Sequence, residues 1–314
     1  MRAAVLGGAG FVGSHLIDKL LERGDEVIAV DNFLTGRAAN VAHLEGNPRF
    51  QLVQQDICAG IPIEGRLDIV FNLASPASPI DYARLPLETL DVGSLGTRAA
   101  LELARRAGAV MLMASTSEIY GDPLVHPQRE DYFGNVNTVG PRSCYDEAKR
   151  FSEALVSTFA RVHGTPVRLA RIFNTYGPRM RMDDGRVVPA FVCQALRGQD
   201  FTVFGDGTQT RSFCYVDDLV RGLILLVEKG DDRPVNLGNP REMTLRELAE
   251  AVRKVAGSGG AVVSARPLPE NDPKQRRPDI TRARTLLGWE PRVGLEEGLR
   301  PTVEWYRQEL GRQR

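Results

Sequence analysis

At 314 residues the chain is long enough for about two domains and a sizeable core. A hydrophobic share of 42% and a charged share of 25% exclude a disordered or fibrous chain. Forty basic residues balance forty acidic ones, so bulk charge points to neither nucleic acid nor a membrane surface.

The chain opens directly into the apolar run 2–6, with no signal-peptide architecture ahead of it. Its most apolar later window, 219–227, is interrupted by Arg221 and is too short to span a bilayer. Cys58, Cys144, Cys193 and Cys214 are scattered without metal-ligand spacing, and His15, His43, His126 and His163 form no cluster. A cytoplasmic protein with reduced thiols and no metal is therefore expected.

In chain order, short apolar runs predict strands at 2–6, 26–30, 50–53, 68–73, 110–114 and 166–172. Helical patterns at 12–22, 87–106 and 145–163 lie between them. This alternation predicts an α/β fold, a Rossmann-type doubly wound parallel sheet. After Asn174 the rhythm changes. A Pro/Gly/Arg-rich stretch, 176–186, leads to a helix at 188–197, a strand at 202–204, a helix at 216–228 and a strand at 235–237. Thr244-Leu245-Arg246-Glu247 has the capping-box pattern and opens an amphipathic helix, 244–255. Prolines 267, 269, 273 and 278 predict an ordered or partner-held loop over 266–278. These late pieces suggest a smaller C-terminal α/β domain, with a small-molecule cleft between the two.

The first strand runs straight into Gly7-Gly8-Ala9-Gly10-Phe11-Val12-Gly13, which opens a helix. Gly7, Gly10 and Gly13 permit a tight turn, close backbone approach to a pyrophosphate and close helix–strand packing. The helix N-terminus offers free amides and a positive dipole end to phosphates. Asp31 ends the next strand, where a carboxylate accepts from both ribose hydroxyls and repels a 2′-phosphate. The expected cofactor is NAD. Asp56-Ile57 follows the third strand, with Asp56 either at the adenine edge or capping a helix.

The chemistry centres on Ser143-Cys144-Tyr145-Asp146-Glu147-Ala148-Lys149-Arg150. Tyr145 and Lys149 are four apart and share one helix face. A phenol of ordinary pKa about 10 is a poor base. A nearby ammonium in a desolvated site favours the phenolate, making Tyr145 a plausible proton acceptor for a substrate hydroxyl. The predicted strand 110–114 delivers Ser115-Thr116-Ser117-Glu118 to its carboxyl end, where such sheets place their ligands, and Thr116 can bond the same hydroxyl.

With these features in place the chain resembles the extended short-chain dehydrogenase/reductases, and more narrowly the UDP-glucuronate decarboxylase family. The resemblance is carried by the strings 72–79, 114–123, 134–137, 142–150, 171–180, 184–188, 208–213, 272–280 and 287–291, so it runs nearly end to end. In the related 4,6-dehydratases an Asp-Glu pair follows the threonine, and in 4-epimerases neither position usually carries an acid. Ser117-Glu118 keeps one carboxyl group, which is the decarboxylase pattern.

The resemblance implies Thr116, Glu118, Tyr145, Lys149 and Arg276 as catalytic residues, and Asn32, Gly36 and Ala74 beside Asp31, Asp56 and Ile57 at the cofactor. It places Arg276, rather than Arg277, against the sugar carboxylate. A UDP-sugar carries about three negative charges and needs a local basic cluster. The family places Asn174, Arg186 and Arg211 at the diphosphate and ribose, Ser117 at the sugar, and backbone near Val188 and Val203 at the uracil. A Glu118 carboxylate beside a substrate carboxylate is costly. Glu118 is then partly protonated, raises the ground state, or orders a water. Relatives carry Lys-Thr-Asn before the Gly-Thr that matches Gly96-Thr97, and this chain reads Asp91-Val92-Gly93.

The expected reaction is NAD-dependent decarboxylation of UDP-glucuronate to UDP-xylose through a 4-keto sugar. The expected partners are a UDP-sugar and a second copy of the chain, paired through 87–106 and 145–163. The expected domains are 1–175 plus 213–237 for NAD and 176–212 plus 238–314 for the nucleotide sugar. The alternatives are a UDP-uronate 4-epimerase, a decarboxylase of another nucleotide sugar, or an idle NAD-binding regulator. Intact Thr116, Tyr145 and Lys149 argue against the last.

Overall fold

The computed structural model of the chain describes residues 1–205, 207–266 and 275–312. Strands β1 (Arg2–Leu6), β2 (Glu26–Asp31), β3 (Phe50–Gln54), β4 (Ile69–Asn72), β5 (Val110–Thr116) and β6 (Val167–Ile172) join the strand Pro234–Leu237 in one sheet. All its pairings are parallel, and the order is Pro234–Leu237, β6, β5, β4, β1, β2, β3. The order reverses between β1 and β4, so a crevice opens at their carboxyl ends, the place where such sheets bind ligands.

The central strands are buried on both faces, which is why they read as unbroken apolar runs. Alternate residues of β1 supply two different cores. Ala3 and Val5 pack on the side of α1 (Phe11–Glu22), with Leu16, Ile17 and Leu20, and of the helix Val216–Lys229. Ala4 and Leu6 face a cluster of Ala100, Leu101, Leu103 and Ala104 with Val156 and Phe159.

After α2 (Pro79–Arg84), the helix expected over 87–106 is a broken path: α3 (Pro86–Asp91), a widened π turn at Val92–Gly96, and α4 (Thr97–Ala107). The turn packs closely on the next helix, since a Cβ on Gly93 would sit 2.7 Å from the Cβ of Ala148. Ala148 belongs to α5 (Ser143–His163), the long helix that carries Tyr145 and Lys149.

The late segments share the α1-side core through Val188, Phe191, Leu248 and Trp289. Thr244 and Glu247 form the expected capping box of the helix Leu245–Ala256. A helix at Leu295–Arg312 went unread because Pro301 lies inside it, yet Leu299, Val303 and Tyr306 are buried. Of the expected loop over 266–278, residues 267–274 lie outside the described residues. The part from 276 docks on the 126–128 turn: Gln128 N donates to Arg277 O at 2.9 Å and Asp279 N to Gln128 O at 2.8 Å.

Candidate active site

The glycine turn after β1 is built for a dinucleotide. Gly7 has φ +77, and a Cβ on it would lie 2.8 Å from the backbone nitrogen of Ala74. A Cβ on Gly13 would lie 2.2 Å from Gly7 O, so side chains there would close the cradle. Helix α1 starts at Phe11 and Val12 with Gly10 as N-cap, and no side chain satisfies its first amides. Those donors suit a pyrophosphate.

Asp31 is buried at the end of β2, where its carboxylate accepts from Ala9 N at 2.9 Å and Phe33 N at 2.8 Å. Burial raises its pKa, and those two amides oppose the rise. Each oxygen keeps a lone pair for a ribose hydroxyl. Gly36 leaves that carboxylate open, since a Cβ there would sit 2.6 Å from Asp31 Oδ1. Asn32, Asp56, Ile57 and Ala74 line the same cleft. Asp56 borders the cleft and accepts from Cys58 N at 2.8 Å, capping the turn Ile57–Ala59. The residues present therefore fit NAD.

At the end of β5, Thr116 and Ser117 are buried. Thr116 Oγ1 accepts from Glu118 N at 3.3 Å, and its side chain favours the phenolate of Tyr145. Burial pushes Tyr145 up to about 12, against the pull of the Thr116 side chain and the Arg186 charge. Lys149 lies near Tyr145 on the same face of α5. Its Nζ donates to Ala114 O at 3.0 Å and lies 5.9 Å from the centre of the Tyr145 ring. A buried ammonium needs an acceptor, and β5 supplies one; burial alone lowers Lys149 to about 8.

Glu118 lies between two guanidiniums, those of Arg276 and Arg142. Burial disfavours its charge, but the guanidiniums of Arg276 and Arg142 outweigh burial and hold the carboxyl below its ordinary range. Arg276 grips it with both terminal nitrogens, Nη2 at 2.7 Å from Oε2, and Arg142 Nη2 donates to Oε2 at 2.5 Å. Arg276, expected on the sugar carboxylate, thus engages an enzyme carboxylate here.

Of the remaining expected residues, Asn174 is half-buried just past β6 and its carbonyl accepts from Cys214 N at 2.8 Å. Arg186 caps the helix Val187–Leu196, donates to Ala77 O at 2.5 Å and pairs with Asp184 at 3.4 Å. Val188 and Val203 are buried, and Arg211 is buried on the strand Thr210–Ser212. Ser212 Oγ donates to Arg276 O at 3.4 Å, tying that strand to the arginine segment. Sequence reasoning gave no part to Arg142, Asp146 or Tyr82. The first two sit beside Tyr145 in its own motif, whereas nothing in the sequence marks Tyr82.

A dinucleotide turn, an acidic strand end and a Thr/Tyr/Lys constellation at the switch point of a parallel sheet define a short-chain dehydrogenase/reductase-type site. The model of the NAD dependent epimerase/dehydratase family matches residues 3–238. Two proteins of Arabidopsis thaliana are similar over 99% of the chain. One is UDP-glucuronic acid decarboxylase 1, 53% identical with 71% of its own length covered; the other is UDP-glucuronic acid decarboxylase 5, 52% identical with 91% covered. UDP-glucuronic acid 4-epimerase from Bacillus cereus, solved with UDP-glucuronic acid and NAD, superposes with a TM-score of 0.87 at 28% identity, over 98% of this chain and 100% of that one. The chain belongs to the NAD dependent epimerase/dehydratase family, and NAD is its cofactor.

Proposed function

We propose that the chain converts UDP-glucuronate to UDP-xylose and carbon dioxide. The observation that carries the reading is the single carboxylate, Glu118, two residues after Thr116 and clamped by Arg276. The name and near-complete coverage of the similar decarboxylases support it.

NAD⁺, when bound, supplies a hydride acceptor for carbon 4, a positive charge that favours the Tyr145 phenolate, and the same hydride for the final reduction. Tyr145 takes the proton of the 4-hydroxyl, and Thr116, whose side chain favours the phenolate, would bond the same hydroxyl. A 4-ketone makes the sugar acid a β-keto acid, so the bond between carbons 5 and 6 breaks and its electron pair enters an enolate. Thr116 and the now neutral Tyr145 donate to that enolate oxygen. A proton then enters at carbon 5. Lys149, bonded to β5, fixes the face of α5 that presents Tyr145. Asn174, Arg186 and Arg211 would hold the diphosphate and ribose, with Val188 and Val203 at the uracil.

The NAD part is assigned to 1–175 plus 213–237 and the sugar part to 176–212 plus 238–314. The strand Pro234–Leu237, paired with β6, supports that return to the first part. A homodimer through 87–106 and 145–163 is supported by the exposed Leu87, Leu95, Phe151 and Val162 on that surface. The four cysteines are free, which suits the cytoplasm, and no helix among the described residues is long and apolar enough to cross a membrane. Incubation with UDP-glucuronate and NAD tests the reading. Carbon dioxide with UDP-xylose is the expected result; an isomeric uronate without carbon dioxide, or an unchanged substrate, overturns it.

A further inference from the structure

The mechanism above leaves two groups beside Glu118 unused, the half-buried Arg142 and the buried Asp146. Arg142 is tied to the catalytic turn by its own backbone, its carbonyl accepting from Tyr145 N at 3.0 Å and Asp146 N at 3.1 Å. Its guanidinium bonds Glu118 and lies 5.9 Å from the centre of the Tyr82 ring, with Nε 3.9 Å from Asp146 Oδ2. Two guanidiniums, arriving from α5 and from the late segment, thus converge on one enzyme carboxylate. Asp146 is 7% exposed, and its Oδ1 is buried without a hydrogen-bond partner. That orphan oxygen is unusual for an ionised carboxylate in a shielded place.

Charge balance makes the arrangement informative. With Asp146 ionised, Glu118, Asp146, Arg142 and Arg276 sum to zero, and an entering sugar carboxylate is an unmatched third anion. With Asp146 protonated, the cluster holds one net positive charge for that carboxylate to match. Burial first, then the Glu118 charge, raises Asp146 to about 7, against the opposing pull of Arg142 and Arg276. Glu147 in the same helix also faces it, as do Tyr82, Tyr145 and Cys144. The two guanidiniums lower the pKa of Glu118, and burial moves Tyr82, Tyr145 and Cys144 upward, away from neutrality.

We propose that Arg142 is a second guanidinium for the sugar carboxylate, shared with Arg276, and that Asp146 takes up a proton from solvent when that carboxylate binds. The proton returns to solvent when the product, which lacks the carboxylate, takes its place. The pocket thereby selects uronates over neutral sugars. This rests on the UDP-glucuronate reading but is tested by binding rather than by turnover. A wild-type protein that makes no UDP-xylose defeats that reading, whereas the outcomes below defeat this one.

The NAD-loaded Tyr145→Phe protein allows equilibrium binding of UDP-glucuronate and UDP-xylose. UDP-glucuronate should bind about tenfold more weakly at pH 8.5 than at pH 6.5, with UDP-xylose unaffected, and Asp146→Asn should remove the difference. Arg142→Met should weaken UDP-glucuronate about tenfold or more and UDP-xylose less than about twofold. The Arg142→Met effect should persist in a Glu118→Gln background, where neutralising Glu118 is no longer its task. Near-normal UDP-xylose binding reports a folded site; if Arg142→Met does not fold, Arg142→Lys, which keeps the charge but not the fork, is read in the same way. Equal weakening of both ligands, loss of the effect in the Glu118→Gln background, or an unchanged pH dependence in Asp146→Asn overturns the proposal.

Discussion

Tyr82 lies face to face with Tyr145, their ring centres 5.0 Å apart and their planes 13° apart. The stacking partner comes from α2, whose start is fixed by Ser78 accepting from Asp81 N at 3.1 Å and whose Asp81 is held by Arg181 at 2.9 Å. A phenol that must meet one hydroxyl is thus set in its plane by a ring stacked against it. Such a pair contributes about 0.5–1.5 kcal/mol. Tyr82→Leu should lower kcat by roughly three- to tenfold through loss of that orientation, with NAD affinity unchanged, while Tyr82→Phe stays near wild type. Steady-state rates for the two variants settle the matter; a Leu variant as fast as the Phe one removes the ring from any orienting role.

Tyr145→Phe keeps the stacked ring and deletes only the hydroxyl. Bound NAD should be retained, since the glycine turn and Asp31 are untouched, and turnover should fall at least about 100-fold. Cofactor absorbance and UDP-xylose formation measure the two separately. Near-normal turnover would refute the proton-acceptor role.

Glu118→Gln leaves Arg276 and Arg142 facing a neutral amide. Decarboxylation should suffer more than the initial oxidation, so that the 4-keto sugar accumulates with reduced cofactor; equal loss of both steps removes any special part for Glu118. The stability effect has a definite sign. The folded pKa of Glu118 lies below its ordinary value because the two guanidiniums outweigh burial. Its contribution is therefore full above the ordinary carboxylate range and is lost as pH falls through the depressed folded value. Thermal midpoints of wild type and Glu118→Gln should differ at pH 7 and converge as the medium is acidified towards pH 3. A gap that widens on acidification contradicts the ion-pair assignment.

Much of this site was legible because it is local. The glycines at 7, 10 and 13, Asp31 one strand later, and the Tyr145/Lys149 spacing each encode a backbone conformation or a helix face within a few residues. The partners of Glu118 were not legible as partners. Arg142 lies 24 residues away and Arg276 lies 158 away, and their convergence depends on how the segment from 276 docks on Gln128. Tyr82 carries no motif at all. The broken helix path at 86–107 escaped because 3.6-residue periodicity persists through a π turn, and only the contact of Gly93 with α5 reveals the widening.

That contact bears on the departure from the resembling family, Asp91-Val92-Gly93 in place of Lys-Thr-Asn, in which glycine replaces the asparagine. A Cβ on Gly93 would sit 2.7 Å from Ala148 Cβ and 3.1 Å from Ala148 O, on the stretch of α5 between Tyr145 and Lys149. The turn is held there by Ser152, whose Oγ donates to Gly93 O at 2.6 Å. Gly93→Ala must therefore push α5 outward or break that bond, at a cost of about 1–3 kcal/mol for overpacking. A thermal midpoint lowered by several degrees is expected, with kcat falling further than stability alone explains because Tyr145 rides on the displaced helix. Replacing Ala148 by Gly in the same protein restores the space, at a helix-propensity cost of about 1 kcal/mol. Activity should recover in the double variant even though the midpoint does not return fully. If Gly93→Ala keeps both the wild-type midpoint and the wild-type kcat, the close approach of this turn does not position the catalytic helix.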